Sequence, residues 1–205
     1  MCVICISEKG TKQPTRNNLR SMWLRNPDGA GYMFSREGSV EIHKGFMNFE
    51  DFYNAVRSEN FTANDAVVYH FRISTQAGVN PAMTHPFPLS NKLQHMTALD
   101  LLCEVGICHN GIISLTSDPK EKRYSDTALF ITKYASQIIK RPTDLEDSKR
   151  MNYIAGLIGA SKLTFLNQDG KVYTIGAFHT DSNGLRYSNM YHLGYRYLSD
   201  LDLPF

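Results

Sequence analysis

At 205 residues, with 42% hydrophobic and 20% charged side chains, the chain has the composition of an ordinary soluble globular protein and the length for one sizeable core, so a single domain over residues 1–205 is expected. Its 22 Lys and Arg nearly balance 20 Asp and Glu, and the resulting net +2 is scattered rather than gathered in a basic run, which argues against a nucleic-acid partner. No apolar run approaches the roughly 18 residues of a membrane span, and no charged segment followed by an apolar core opens the chain. A cytoplasmic protein without a membrane partner is therefore expected.

The first element is a strand over residues 2–7, where Cys2-Val3-Ile4-Cys5-Ile6 is continuously apolar. Helical spacing from Asn17 to Leu24 ends at Asn26-Pro27-Asp28-Gly29. Gly31-Tyr32-Met33-Phe34 and Val40-Glu41-Ile42-His43 then read as two strands around a Glu37-Gly38 turn. Phe49 to Val56 is a predicted helix with Asn48 as N-cap, and residues 66–72 a strand. Residues 74–98 form a long irregular segment, and loops of that length in compact domains are commonly functional.

Strand character resumes from Val105 to His109 and stops at Gly111. Ser125 is placed to cap a helix running through Ile139, and Leu145 to Leu157 predicts another. The clearest hairpin is Leu163–Leu166 and Lys171–Ile175 about Asp169-Gly170. Hairpins outnumber strand-helix-strand units, so an α+β fold of mainly antiparallel sheets covered by helices is expected.

Cys2 carries the most chemistry. Removing Met1 would leave a thiol and a free α-amine on one residue, with ordinary pKa values of about 8.5 and 7.7–8.0, so that near neutral pH the amine can take the thiol's proton. Three further segments share the theme: His70-Phe71-Arg72-Ile73-Ser74-Thr75 leaving a strand, Cys108-His109-Asn110-Gly111 at another strand's end, and Ser125-Asp126-Thr127 at a helix start. In this order and spacing the four segments resemble the class II glutamine amidotransferase domain, an N-terminal nucleophile hydrolase. Asn26-Pro27-Asp28-Gly29-Ala30-Gly31-Tyr32 and His85-Pro86-Phe87 resemble further pieces of the same pattern, which covers the chain from Cys2 to about Ile175.

The resemblance implies a four-layer αββα fold and hydrolysis of the glutamine side-chain amide to glutamate and ammonia. Carried onto this chain, it makes Cys2 the nucleophile and its α-amine the general base and acid. Asn110, by its side chain, and Gly111, by its backbone N–H, form the oxyanion hole. Arg72 holds the α-carboxylate of glutamine, with Thr75 beside it, and Asp126 holds the α-ammonium. The types suit the work. Acyl transfer needs two preorganised donors where negative charge develops, and an amino acid presents one carboxylate and one ammonium for an Arg fork and an Asp. The family usually passes ammonia to a second site on the same chain, and 205 residues leave no room for one, so a separate ammonia-accepting synthetase or transferase is the expected partner. No cofactor is implied.

The chain departs from the family where Gln76-Ala77 follow Thr75 in place of His-Gly, and where Ala128 stands in the position that is often glutamate. Gln76 and His85 are candidate pocket or lid residues, within a candidate lid over 81–93. A hydrolase of larger γ-glutamyl amides or peptides would use the same machinery. A non-catalytic member of the fold would keep Met1. A metal or redox site at Cys2-x-x-Cys5 with Cys103 and Cys108-His109 is the rival use of the cysteines. Against it, residues three apart on a strand point to opposite faces, so no metal is expected.

Overall fold

In the computed structural model, which describes residues 1–73, 79–116 and 123–194, eleven strands form two antiparallel sheets accompanied by helices, an α+β arrangement. The larger sheet is built from β1 (Val3–Ser7), β2 (Ala30–Arg36), β3 (Ser39–Phe46), β4 (Val67–Phe71), β6 (Asp100–Cys103), β10 (His179–Thr180) and β11 (Arg186–Tyr187). Its strand order is β10-β11-β1-β4-β2-β3-β6. The smaller sheet is built from β5 (Phe87–Pro88), β7 (Val105–Asn110), β8 (Lys162–Asn167) and β9 (Val172–Ile175), which lie side by side in that order. Helices α1 (Arg16–Arg25) and α2 (Phe49–Ser58) belong to the first part of the chain. The second part holds α3 (Leu93–Met96), α4 (Asp126–Phe130), α5 (Ser136–Ile138) and α6 (Ser148–Ile158).

Alternation along β1 builds two cores at once. Val3 and Cys5 pack with Leu19 and Met22 of α1 and Phe52 and Val56 of α2, whereas Ile4 and Ile6 pack with Met33, Ile42 and Val68 against Cys108 and Leu166 of the smaller sheet. A third core joins Phe87, Ile107, Leu163 and Phe165 to Phe130, Ile131, Ile154 and Ile158. A strand covered on both faces has no polar side to show, which explains the unbroken apolar run at the N-terminus. The sheets approach closely at Gly106, where a Cβ would lie 2.4 Å from Met33 Sδ.

Local signals set the element ends. Asn48 Oδ1 accepts from Asp51 N at 2.9 Å to start α2, and Ser125 Oγ accepts from Ala128 N at 3.2 Å to start α4. Glu37 and Gly38 both take positive φ (51° and 74°), the conformation of a tight hairpin between β2 and β3.

Three expectations are corrected. The helix predicted from Ser125 through Ile139 contains a π-helical turn over Ile131–Ala135. There the Thr132 hydroxyl donates to the carbonyls of Ala128 and Leu129, and that of Ser136 to Thr132 O, competing with the backbone ladder. The helix predicted from Leu145 begins at Ser148, because Pro142–Glu146 makes a 3₁₀ turn and Asp147 caps α6. The segment predicted to be irregular over 74–98 holds, in its described part, a 3₁₀ turn (Pro81–Met83), β5 and α3.

Lys44 ties that segment down. Its ammonium donates to Ala82 O at 2.9 Å and Met96 O at 2.7 Å and lies 3.9 Å from the Phe87 ring centre. The candidate lid over 81–93 is thus held at Ala82 and, three residues past its other end, at Met96, and it contributes a strand to the smaller sheet. Among the described residues, no helix is long and apolar enough to cross a membrane.

Candidate active site

The β1–β4 register, with Val3 opposite Phe71, brings the residue before β1 against the residues after β4. Cys2 and Ile73 meet there: Ile73 N donates to Cys2 Sγ at 3.4 Å, and the thiol donates to Ile73 O at 3.5 Å. Arg72 is 5% exposed. Its backbone N–H donates to Gly29 O at 2.8 Å and its carbonyl accepts from Asp28 N at 3.0 Å, so the Asp28-Gly29 turn fixes the start of the arginine segment.

The smaller sheet delivers the opposite wall. β7 ends at Asn110, and Gly111 turns away with φ +145°, where a Cβ would stand 2.2 Å from Ser161 Oγ; no other residue fits without displacing Ser161. Asp126 opens α4. Its Oδ1 accepts from Thr127 N at 2.7 Å and its Oδ2 from Ile113 N at 2.8 Å, which fixes the carboxylate at the positive end of the helix.

Cys2, Arg72, His85, Gly111 and Asp126 line one cleft, together with His109. Of the predicted site residues, Asn110 adjoins this group with its carboxamide turned to the residue after β11: Nδ2 donates to Ser188 Oγ at 2.9 Å, and Oδ1 is buried without a partner among the described residues. Thr75 and Gln76 lie outside the described residues.

The chain matches no family model and no curated protein. The chemistry of the cleft therefore rests on its own geometry.

Burial pushes the Cys2 thiol up from its ordinary value, and the Ile73 N–H, the terminal ammonium and Arg72 pull it only part of the way back. A protonated thiol at neutral pH needs a base. Burial likewise lowers the Arg72 guanidinium, while Cys2, Asp28 and Asp126 around it favour its charge. Met1 stands out of the fold at 58% exposed.

Three buried histidines cluster at the cleft, His85 and His109 in its lining and His70 behind them. His70 Nε2 is 3.0 Å from His109 O, His109 Nδ1 is 2.7 Å from Thr127 Oγ1, and the His85 ring stands 4.2 Å from that of His70 with neither nitrogen partnered among the described residues. Desolvation pushes His70 down to about 3 and His109 to about 4, and lowers His85 well below its ordinary value. All three are neutral at physiological pH. The His85 carbonyl presses against the larger sheet, where a Cβ on Gly31 would lie 2.3 Å from it and 2.8 Å from His43 O. Gly31→Ala is expected to cost about 1–3 kcal/mol by overpacking, read as a drop of several degrees in melting temperature.

Sequence reasoning gave no role to Thr127 and missed Ser188 and Asn189. Asn189 Nδ2 donates to Cys2 O at 2.6 Å and so holds the main chain of the candidate nucleophile. Neither Ser188 nor Asn189 sits in a motif; both arrive through the pairing of the two-residue β11 with β1. The cysteines do not gather. Cys5 faces the helix-side core and Cys108 the space between the sheets, and among the described residues no group of three or more His, Cys, Asp and Glu is placed to hold a metal ion.

Proposed function

We propose that this protein is a glutaminase of the class II amidotransferase type, with its two sheets and their helices forming the αββα layers of an N-terminal nucleophile hydrolase. One observation carries the reading: an N-terminal cysteine, a buried arginine, a positive-φ glycine and a helix-capped aspartate, from four separated segments, line a single cleft. Loss of Met1 exposes the Cys2 amine. That amine takes the thiol proton, and Sγ attacks the side-chain amide carbon of glutamine held between Arg72 and Asp126. Gly111 N–H and the Asn110 carboxamide stabilise the oxyanion. The protonated amine gives its proton to the leaving nitrogen, ammonia departs, and a glutamyl thioester remains. Water, activated by the same amine, hydrolyses it to glutamate and restores the thiol. The ammonia passes to a separate synthetase or transferase.

Intact mass before and after incubation with a diazo-oxo-norleucine tests this reading. Loss of Met1 and one adduct, absent in Cys2→Ser, is the expected result. Retained Met1 with no adduct overturns it.

A further inference from the structure

We infer that Ser188 is a positioning residue that turns the Asn110 carboxamide so that its NH₂ faces the acyl centre; this rests on the proposed role of Asn110 in the oxyanion hole. Ser188 is fully buried and its place is set by the larger sheet. Its backbone N–H donates to Ile4 O at 3.0 Å, its Oγ accepts from Ile4 N at 2.9 Å, and the next residue, Asn189, holds Cys2 O. Nucleophile and hydroxyl are thus fixed to the same end of β1. The Asn110 carboxamide lies 2.9 Å from that hydroxyl, across the gap between the sheets.

The two ends of a carboxamide have the same shape and differ by two hydrogens, so hydrogen-bond satisfaction decides which end faces which neighbour. With NH₂ on Ser188, the hydroxyl receives two donors, its own proton meets no acceptor among the described residues, and Asn110 Oδ1 is left buried and unpartnered. Turned over, the Ser188 hydroxyl donates to Asn110 Oδ1 while still accepting from Ile4 N–H, so the hydroxyl proton and the amide oxygen are both satisfied and the unpartnered group becomes the NH₂. The NH₂ then occupies the place that has no protein partner. A donor group waiting there for a negatively charged oxygen is what an oxyanion hole requires, because the charge exists only after attack.

The test is kinetic and spectroscopic. Ser188→Ala is expected to lower kcat about 10- to 100-fold, the range for residues that orient a reacting group from behind, with KM for glutamine unchanged. Adding Ser188→Ala to Asn110→Ala is expected to cost nothing more, since the two act through one group. Full kcat in Ser188→Ala, or losses that multiply in the double variant, overturns the inference. If Ser188→Ala does not fold, the unaltered protein still decides. The Asn110 side-chain NH₂ resonance, identified by its absence in Asn110→Ala, should move downfield when a diazo-oxo-norleucine leaves its ketone oxygen at the site. An unmoved resonance places the NH₂ on Ser188 and overturns the inference alone. Absence of both turnover and adduct in the unaltered protein overturns the function first, and this inference with it.

Discussion

Cys2→Ala is expected to reduce ammonia release from glutamine by at least about 10⁴-fold while leaving the melting curve in place, since nucleophile deletions in acyl-transfer enzymes cost this much or more. Among the described residues the thiol's hydrogen bonds to other residues are those with the Ile73 backbone, so its removal takes little from the fold. A second variant separates the thiol from its base. An N-terminal extension that keeps the Cys2 nitrogen in a peptide bond preserves the thiol and removes the amine; a loss of about 10²- to 10⁴-fold is expected, the range of general-base catalysis. The direction of the Cys2 shift makes this prediction sharp. Burial favours the protonated thiol, and Arg72 and the Ile73 N–H do not reverse that, so the acylated chain has no ready thiolate at neutral pH. Glutamate and ammonia assays on the three chains check both effects. Full turnover by the extended chain would place the base elsewhere.

What was legible in the sequence was what local chemistry determines. Asn48 and Ser125 cap helices because their side chains reach the next turn's N–H, and Glu37-Gly38 and Asp169-Gly170 turn hairpins because Gly38 and Gly170 take positive φ. The cleft was legible as motifs, and five of the residues singled out in them, Cys2, Arg72, His85, Gly111 and Asp126, converge. Long-range pairing was not legible. β6 is an edge strand with Leu102 exposed, so it lacks the buried run that announces a strand. β10 and β11 have two residues each, too few for any period, yet they carry Ser188 and Asn189 to the nucleophile. The histidines show the same limit: His70 and His109 occupy ordinary strand positions, and only the stacking of two sheets turns them, with His85, into one buried cluster.

That cluster predicts acid lability. His70, His85 and His109 are neutral in the folded protein, with His70 near 3 and His109 near 4, whereas an unfolded histidine titrates near 6.5. Between these values the unfolded chain binds more protons than the folded one, so the cluster's effect on stability is level above about pH 6.5 and becomes a loss as pH drops below it. Three such groups together cost up to about 6 kcal/mol by pH 5, comparable with the whole stability of a typical domain. Asp126 is the carboxylate that favours protonation of His109, whereas Lys44 and Arg72 oppose protonation of His85, so the cluster has little charge compensation from its neighbours. His85→Phe tests the origin of the effect. The ring packs at 4.8 Å against Phe87 and makes no hydrogen bond among the described residues, so an apolar ring loses nothing polar. Urea unfolding between pH 7 and 5 should show the steep loss in the unaltered protein and about one third less in His85→Phe, because one of three protons is no longer taken up on unfolding. An unchanged slope in the variant would assign the acid sensitivity to groups outside the cluster.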